Sequence, residues 1–284
     1  MTRDRNDQDL TPPAAGPRAN LLSIITLACL GLFVIVILAL VASDVVYLAL
    51  KRLALGEVWQ LLMSRAVRSA IRLSILTSLV TLGLVLLLSV PIGYALSRYR
   101  FFGHSLVNTI VDVPIVLPPV VIGLSLLAFF GTPVGEAVKR GLATANWSLI
   151  SGIGIVLCQF LVSISYCIRA TKASFDSVDR HLEQVALSLG CSQFGAFWRV
   201  SVPLARNGLI AGGIMAWARA IGVFGPLMVF TGTSPRVQVM PTTMWLELSI
   251  GNVEVALAVA LVAVAMAGAA LALVHWLVPG RKWT

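Results

Sequence analysis

The sequence predicts an all-α integral membrane protein with six transmembrane helices. Of its 284 residues, 58% are hydrophobic and only 12% are charged, whereas soluble globular chains carry about 25% charged residues. Six apolar segments reach the length of about 20 residues that a helix needs to cross a bilayer. Because the connecting segments are short, no sizeable soluble domain is expected. We divide the chain into a disordered cytoplasmic tail, 1–20, and a six-span transmembrane domain, 21–280.

Stretches with few or no charged residues mark the spans. The first four are predicted at Leu21–Ser43, Leu73–Ser97, Val113–Gly135 and, within Gly141–Ile168, from Trp147 onward. The fifth begins near Asn207 and contains Arg219, and the sixth is Val255–Pro279, interrupted only by His275. The first span exceeds the apolar region of about 7–15 residues in a cleaved signal peptide. We therefore expect it to remain as a membrane anchor.

Basic residues predict the orientation and explain the formal net charge of +9. Twelve Lys and Arg residues, Arg169 among them, fall on the side that holds both termini, and seven fall on the other side. Cytoplasmic loops carry the excess of Lys and Arg, so both termini are predicted to be cytoplasmic. A basic membrane protein meets anionic lipid, so nucleic acid is not an expected partner. Arg65, Arg68 and Arg72 have helical spacing and predict an interfacial helix before the second span.

The largest cytoplasmic loop, 170–206, has the pattern of two short helices. An amphipathic helix is indicated by four apolar residues at i, i+3, i+4 and i+7: Leu182, Val185, Ala186 and Leu189. Gly190 is a natural C-terminal stop, and Ser192 can cap a second helix. That helix carries three aromatic residues, Phe194, Phe197 and Trp198, and Pro203 is expected to end the segment. The pattern fits docking to a partner protein or packing on lipid and on the chain's own bundle.

Two stretches of this loop resemble the EAA loop of ABC importer permeases. They are Glu183 to Gly190, EQVALSLG, and Phe197 to Leu204, FWRVSVPL, with Gly190 and Pro203 at the family spacing. The usual Glu-Ala-Ala reads Gln184, Val185 and Ala186 here, with Glu183 one position earlier. The resemblance implies a coupling helix that docks into an ATPase subunit. The residues it assigns to coupling are Glu183, Gln184, Ala186, Gly190, Phe197, Arg199 and Pro203.

Three further segments resemble molybdate-type permeases of this class. They are Asp112 to Leu124, DVPIVLPPVVIGL, then Ala218 to Gly225, ARAIGVFG, and Gln238 to Thr243, QVMPTT. The resemblance implies a type I ABC importer permease bundle that carries molybdate or tungstate. Val223 stands where the family has an acidic residue, and Pro226 also departs from the pattern. Both changes are expected on the pathway, so sulfate, thiosulfate or another oxyanion remains an alternative substrate.

The partners that the resemblance implies are a second copy of this chain, two ATPase subunits and a binding protein, either periplasmic or a lipoprotein. It also implies the cytoplasmic (inner) membrane of a bacterium or archaeon. The chain contains no G-x-x-x-x-G-K-[ST] sequence, so ATP and Mg²⁺ are expected in the ATPase partner and no cofactor or metal in this chain. The chain is therefore predicted not to be an enzyme. Cys29, Cys158, Cys167 and Cys191 form no CxxC pair and are interpreted as buried small residues.

Unusual residues within the spans mark the predicted translocation pathway: Pro118, Pro119, Arg219, Gly222 and Gly225. Together with Pro114, the paired prolines prevent a continuous third helix. They indicate either a mouth or gate at the subunit interface or a kink needed only for packing. Arg219 has two open uses, either attracting an anion or pairing with Asp112. The glycines, together with Gly208 and Gly212, fit close packing within the bundle and between two copies equally well.

An ion-coupled secondary transporter or channel is a less favoured alternative. Such proteins carry intramembrane carboxylates for coupling, and only Asp112 qualifies here. An intramembrane enzyme would need a nucleophile and base or a metal site, and the sequence suggests neither.

Overall fold

The chain is described by a computed structural model over residues 17–50, 60–142, 147–231 and 238–277. Every regular element among these residues is a helix, which agrees with the predicted fold class. The predicted tail falls outside the described residues as far as position 16. Its last four residues are helical, because the first helix begins at Pro17 rather than at Leu21. Proline is favoured in a first helical turn, because the backbone N–H groups there have no hydrogen-bond partner within the helix.

Contacts divide the chain into two units, Met1–Arg52 and Leu53–Thr284. The first unit contains helix α1, Pro17–Leu50. Its apolar segment Ser23–Tyr47 is long enough to cross a membrane, and none of the side chains described on it is buried within the protein. This is the behaviour expected of the predicted anchor, whose apolar surface needs lipid or protein around it.

In the second unit, residues 60–62 are helical, and eleven further helices have both of their ends in the described residues. They are α2 Arg65–Arg98, α3 His104–Val116, α4 Pro119–Gly131, α5 Pro133–Leu142, α6 Trp147–Asp176, α7 Arg180–Ser188, α8 Gln193–Ala196, α9 Val202–Ile221, α10 Gly225–Thr231, α11 Met240–Ser249 and α12 Val253–Leu277. A π-helical turn, Phe197–Ser201, joins α8 to α9. Arg65, Arg68 and Arg72 lie in the first turns of α2, which continues without a break into the second span.

Four helices in the described residues are long and apolar enough to cross a membrane, and a bent pair of helices makes a possible fifth. The four lie in α1, α2, α6 and α12, at the predicted first, second, fourth and sixth spans. The predicted fifth span is not one continuous apolar helix. It is divided into α9, which begins at Val202 and carries Arg206 and Arg219, and the short helix α10.

The third predicted span is the bent pair. Helix α3 ends at Val116 and α4 begins at Pro119, with an angle of 106° between them. Pro118 is the N-cap of α4 and Pro119 occupies its first turn. Because neither proline can donate a backbone hydrogen bond to the preceding turn, the helix cannot continue through them. The predicted break is confirmed at Pro118 and Pro119. Pro114 instead lies inside α3 without ending it, and the segment begins at His104 rather than at Val113.

Helices α2, α6 and α9 form the packed centre of the unit, and polar side chains join them. Thr81 donates a hydrogen bond to Gln159 Oε1 at 3.0 Å, and Trp217 Nε1 donates to Ser78 Oγ at 3.0 Å. These side chains connect α2 with α6 and α9, respectively. Hydrogen bonds between helices supplement dispersion forces inside a bilayer, where hydrophobic burial gives little net drive. Cys158 and Cys167 are buried in the same region, as predicted, whereas Cys29 is exposed and Cys191 is half-buried, contrary to the prediction.

Two glycines of α9 allow close contact with α6. A Cβ atom at Gly212 would lie 2.7 Å from Cβ of Ala170, and one at Gly208 would lie 2.8 Å from Cβ of Ser174. Both distances are shorter than van der Waals contact. Of the two uses left open by the sequence, the structure therefore assigns these glycines to packing within the bundle.

Candidate functional site: the cytoplasmic loop and the broken helices

The connection between α6 and α9 is shorter than the predicted loop 170–206, because α6 continues to Asp176 and α9 begins at Val202. Its first element is a well-capped helix. The Asp179 side chain accepts a hydrogen bond from the His181 backbone N–H at 2.9 Å, and α7 follows. Gly190 then adopts φ +86°, a conformation that costs other L-residues about 1–2 kcal/mol. Its position allows Cys191 N–H to bond the Ala186 carbonyl at 3.0 Å, which closes the helix end. The predicted stop at Gly190 is confirmed.

The second short helix is also confirmed, but it does not end at Pro203. Ser192 caps α8 by accepting a hydrogen bond from Gly195 N–H at 3.1 Å. The chain then passes through the π-helical turn directly into α9, and Pro203 lies in the first turn of α9. Since proline donates no backbone hydrogen bond, it is tolerated at a helix start. Pro203 therefore begins a helix here instead of ending one.

The outer side of the loop presents large apolar side chains to solvent. Leu189, Phe194 and Trp198 are 83%, 73% and 53% exposed. Phe194 and Trp198 contact each other edge to face, with ring centroids 6.3 Å apart. We call Leu189, Phe194 and Trp198 the apolar docking surface. Exposed aromatic clusters of this kind are typical anchors of protein interfaces.

Phe197 does not belong to this surface, although the sequence grouped it with the other aromatic residues. It is half-buried, and its ring lies 4.7 Å from that of Tyr94 and 6.1 Å from that of Phe175. Periodicity alone placed it with Phe194 and Trp198, but the π-helical turn alters the spacing. Phe197 fastens the loop to α2 and α6.

Glu183 faces the bundle and forms a buried ion pair. Arg98 Nη2 lies 2.7 Å from Glu183 Oε1, and the two side chains are only 6% and 11% exposed. Tyr94 donates a hydrogen bond to Glu183 Oε2 at 3.0 Å. Burial raises the pKa of Glu183, but hydrogen bonds from Arg98, Ser201 and Tyr94 outweigh it and lower the pKa below its usual value. The carboxylate therefore stays charged and holds α7 against the end of α2.

The remaining predicted coupling residues differ in exposure. Gln184 and Arg199 are exposed, and Ala186 is half-buried. Gln184 and Glu183 line a cavity of about 310 Å³ together with Arg98 and Arg180. The loop thus has two sides, an apolar outer surface and a polar inner contact with the bundle.

The predicted pathway residues occupy different environments. Pro118 and Pro119 are exposed at the bend between α3 and α4, beside a cavity of about 300 Å³ lined by Pro114 and Leu117. Gly222 is exposed at the end of α9. Gly225 instead faces α4, since a Cβ atom there would lie 2.9 Å from Cγ2 of Val120. It is a close-packing position.

Arg219 does not pair with Asp112. Its guanidinium carbon lies 5.5 Å from the ring centroid of Tyr166, a cation–π contact, and the side chain is exposed. Asp112 is paired with Arg169 of α6, which contacts both carboxylate oxygens. Arg169 also belongs to the apolar segment Gly152–Asp176, whereas the sequence analysis assigned it to a cytoplasmic loop.

The two departures from the family pattern do not line a pathway within the protomer. Val223 is buried in a cluster with Ile122 and Ile155. Pro226 is also buried, and a Cβ atom on Gly123 would lie 2.6 Å from its Cα. Both positions therefore serve the contact of α10 with α4 and α6.

Sequence analysis missed the partners Arg98, Tyr94, Tyr166 and Arg169. Arg98 and Glu183 are separated by 85 positions, and only the packing of α2 beside α7 brings them together. The sequence shows a basic residue at the end of the second span and an acidic residue in a later cytoplasmic loop. These two features do not indicate that the residues form a pair.

An all-helical membrane bundle with a capped, outward-facing apolar loop defines a transporter subunit that acts with a separate protein. Residues 89–282 match the family described as "Binding-protein-dependent transport system inner membrane component". The chain belongs to this family. It is accordingly a multi-pass inner-membrane permease subunit of an ABC transport system that depends on a binding protein. Permease subunits do not hydrolyse ATP themselves, since a separate ATPase subunit does so.

Relatives of known name support a more specific comparison. The chain is 36% identical over 214 residues to the molybdate/tungstate transport system permease protein WtpB of Thermococcus kodakarensis, covering 75% of this chain and 80% of the relative. It is 34% identical over 213 residues to WtpB of Pyrococcus abyssi, covering 75% and 79%. It is 32% identical over 183 residues to the molybdenum transport system permease protein ModB of Haemophilus influenzae, covering 62% and 78%.

A solved structure supports the fold. A bacterial ABC transporter involved in the import of the acidic polysaccharide alginate superimposes with a TM-score of 0.69. The alignment covers 94% of this chain and 97% of the other, at 15% sequence identity. At this identity the likeness concerns the fold alone.

Proposed function

We propose that this chain is the permease subunit of an ATP-driven importer for molybdate or tungstate. The observation that carries the proposal is sequence identity of 34–36% over three quarters of the chain with permeases named for these two anions. The departures at Val223 and Pro226 made sulfate or thiosulfate an alternative. Because both residues are buried in the protomer core, they give that alternative no support.

The proposed assembly contains two copies of this chain, two ATPase subunits and a substrate-binding protein. Within it, the apolar docking surface binds a groove of the ATPase subunit, which holds ATP and Mg²⁺. The coupling residues are Glu183, Gln184, Ala186, Gly190, Phe197, Arg199 and Pro203. Glu183 and Phe197 act from the inner side of the loop, by fixing it to the bundle. Both termini are cytoplasmic in this arrangement, which the excess of basic residues on that side supports.

Transport follows from the movement of this loop. Closure of the ATPase dimer around ATP draws the two coupling loops together, and the pathway changes from inward-facing to outward-facing, a two-state switch. The Arg98–Glu183 pair and the Phe197 contacts transmit the movement to α2 and α6. The pathway is formed near Pro118, Pro119, Arg219, Gly222 and Gly225, where helices α3, α4 and α9 are interrupted or end.

ATPase activity of the reconstituted complex tests the proposal. The permease, its ATPase and its binding protein are placed in liposomes, and the binding protein is loaded in turn with molybdate, tungstate or sulfate. Stimulation by molybdate or tungstate, with loss of stimulation in a Gly190→Pro variant, is the expected result. Stimulation by sulfate alone would retain the importer and replace the substrate. Failure to assemble with any ATPase would contradict the proposal.

A further inference from the structure

Two arginines lie within or beside the spans, Arg169 half-buried and Arg219 exposed. Arg169 lies seven residues before the end of α6, about 10 Å along the helix at 1.5 Å per residue. Arg219 lies seventeen residues after the start of α9, about 25 Å along that helix. The Arg169 side chain is 36% exposed, and Arg219 is exposed. The two guanidinium groups therefore belong to membrane-embedded helices but are not enclosed by the protomer.

Tyr166 contacts one of these two arginines and lies one helical turn before the other. Its ring contacts Arg219, with the guanidinium carbon 5.5 Å from the centroid. Tyr166 and Arg169 are three positions apart on α6, so their side chains share one side of the helix. We call Tyr166, Arg169 and Arg219 the guanidinium face.

The guanidinium face cannot border lipid hydrocarbon. A charged side chain near the bilayer centre costs at least about 2.5–3.5 kcal/mol and normally faces a water-filled cavity or the protein interior. Among the described residues, Arg219 has no carboxylate within ion-pair distance, and its contact is the Tyr166 ring. Its exposed charge is therefore stable beside water or a polar surface of a second copy, and not beside lipid.

We infer that the guanidinium face is a transit site for a tetrahedral dianion. Arg219 would bind the anion directly, held in position by the Tyr166 ring, and Arg169 would bind it by exchanging a carboxylate oxygen of Asp112 for an oxygen of the substrate. A guanidinium group presents its N–H donors in a planar fork that suits oxyanions. This inference rests on the proposed function and adds residues that the sequence did not assign to the pathway.

Asp112 keeps the site weak. While the site is empty, its carboxylate occupies Arg169 and cancels that charge. An incoming anion must compete with it, so Arg169 contributes only part of its full attraction. Conduction pathways need sites that are favourable enough to enter and weak enough to leave. Among the described residues, Arg219 has no carboxylate partner and Arg169 is paired with Asp112. Together they would attract a divalent anion without holding it tightly.

Uptake by the reconstituted complex tests the site. We would measure radioactive molybdate accumulated per ATP hydrolysed for the wild type, Arg219→Gln and Arg169→Gln. Each variant is expected to reduce this ratio by about tenfold, as loss of a charge-assisted hydrogen bond predicts. Arg219→Lys should retain an intermediate ratio because the charge remains. Arg68→Gln removes an exposed arginine from the start of α2 and should match the wild type.

If the glutamine variants fail to assemble, a cysteine-labelling experiment tests the transit site instead. Met215 is exposed one turn before Arg219 on α9, and Leu271 is equally exposed on α12. In a chain whose four cysteines are replaced by alanine, Met215→Cys should react with an anionic sulfonate reagent more slowly when molybdate is present. Leu271→Cys should not react, because it faces lipid.

The outcomes separate this inference from the proposed function. A wild-type complex that accumulates no molybdate contradicts the proposed function itself. A wild-type complex that transports, with Arg219→Gln and Arg169→Gln at the wild-type ratio, overturns the transit site. So does a Met215→Cys variant that is as unreactive as Leu271→Cys.

Discussion

Glu183 shows how a single residue can be both buried and functional. A carboxylate with only 11% of its side chain exposed is stable because Arg98 and Tyr94 bind both of its oxygens. Removing one partner of a buried pair leaves the other charged group without compensation. The pair holds the loop that we propose for coupling against the end of α2.

Glu183→Gln is predicted to destabilise the protein by about 3–5 kcal/mol, the usual cost of breaking a buried pair. Thermal unfolding of the purified protein in detergent measures the effect. Glu136→Gln is the matched control, since it breaks the Arg140–Glu136 pair, in which the side chains are 80% and 55% exposed. An exposed pair contributes about 0–1 kcal/mol. If the two substitutions lowered the unfolding temperature equally, the stabilising role of the buried Arg98–Glu183 pair would be contradicted.

The same pair predicts a dependence of stability on pH. The pKa of Glu183 is lower in the folded protein than its ordinary value of about 4.3. The folded state therefore binds fewer protons, and the pair contributes fully above about pH 4.3 and is lost as pH falls through the folded pKa. Unfolding temperatures between pH 7 and pH 3 should fall more steeply in the wild type than in Glu183→Gln. Parallel curves would show that Glu183 is not the responsible group.

Individual residues also mark the limit of prediction from sequence. Gly190 and Ser192 could be predicted because a helix stop and a cap depend on local backbone chemistry. The partner of Asp112 could not, because the choice between Arg169 and Arg219 depends on how α3 packs against α6. The charge and hydropathy of the sequence identify ionic residues within apolar segments. They do not define which of these residues form ion pairs.

At the scale of elements, the conformation of Gly190 sets the angle between α7 and α8. Nothing lies within 4 Å of a Cβ atom added there, so Gly190→Ala tests backbone strain without a steric clash. We predict a loss of about 1–2 kcal/mol, measured as a lower unfolding temperature. Gly83→Ala, in the middle of α2 and equally free of neighbours, should be neutral or stabilising. A neutral Gly190→Ala would contradict this account of the loop.

The apolar docking surface makes a second prediction for this element. Trp198→Ala and Phe194→Ala should each weaken binding of the permease to its ATPase subunit by about 30-fold, as expected for aromatic anchors worth about 2 kcal/mol. Affinity is measured with the permease in lipid nanodiscs and the purified ATPase. Phe102→Ala is the control, since Phe102 is fully exposed in the loop between α2 and α3. Unchanged affinity in both loop variants would exclude the docking surface.

Helices were predicted correctly where a long apolar segment is enough to define a membrane span. They were missed where other properties define the helix. The spans in α2, α6 and α12 follow from long apolar segments. Helix α9 carries two arginines and several small residues, so its membrane position depends on its neighbours rather than on its own hydropathy. The helices α5 and α11 were not predicted, because each has only ten residues.

At the scale of the whole molecule, the proposed function separates coupling from selection. Coupling requires a loop that is rigid on its inner side and apolar on its outer side, and the contacts of Glu183, Phe197 and Trp198 meet both conditions. Selection of the anion needs no enclosed site in the permease if the binding protein supplies it. The weak transit site of paired and unpaired arginines agrees with that division.

ATP-dependent accumulation of radioactive molybdate in liposomes tests the central claim most directly. The complex of permease, ATPase and binding protein is reconstituted, with ATP supplied on the side of the ATPase subunits and loaded binding protein on the other. The account predicts accumulation that requires ATP and is lost in Trp198→Ala. Accumulation without ATP, or ATP hydrolysis with no molybdate taken up by the wild type, would contradict it.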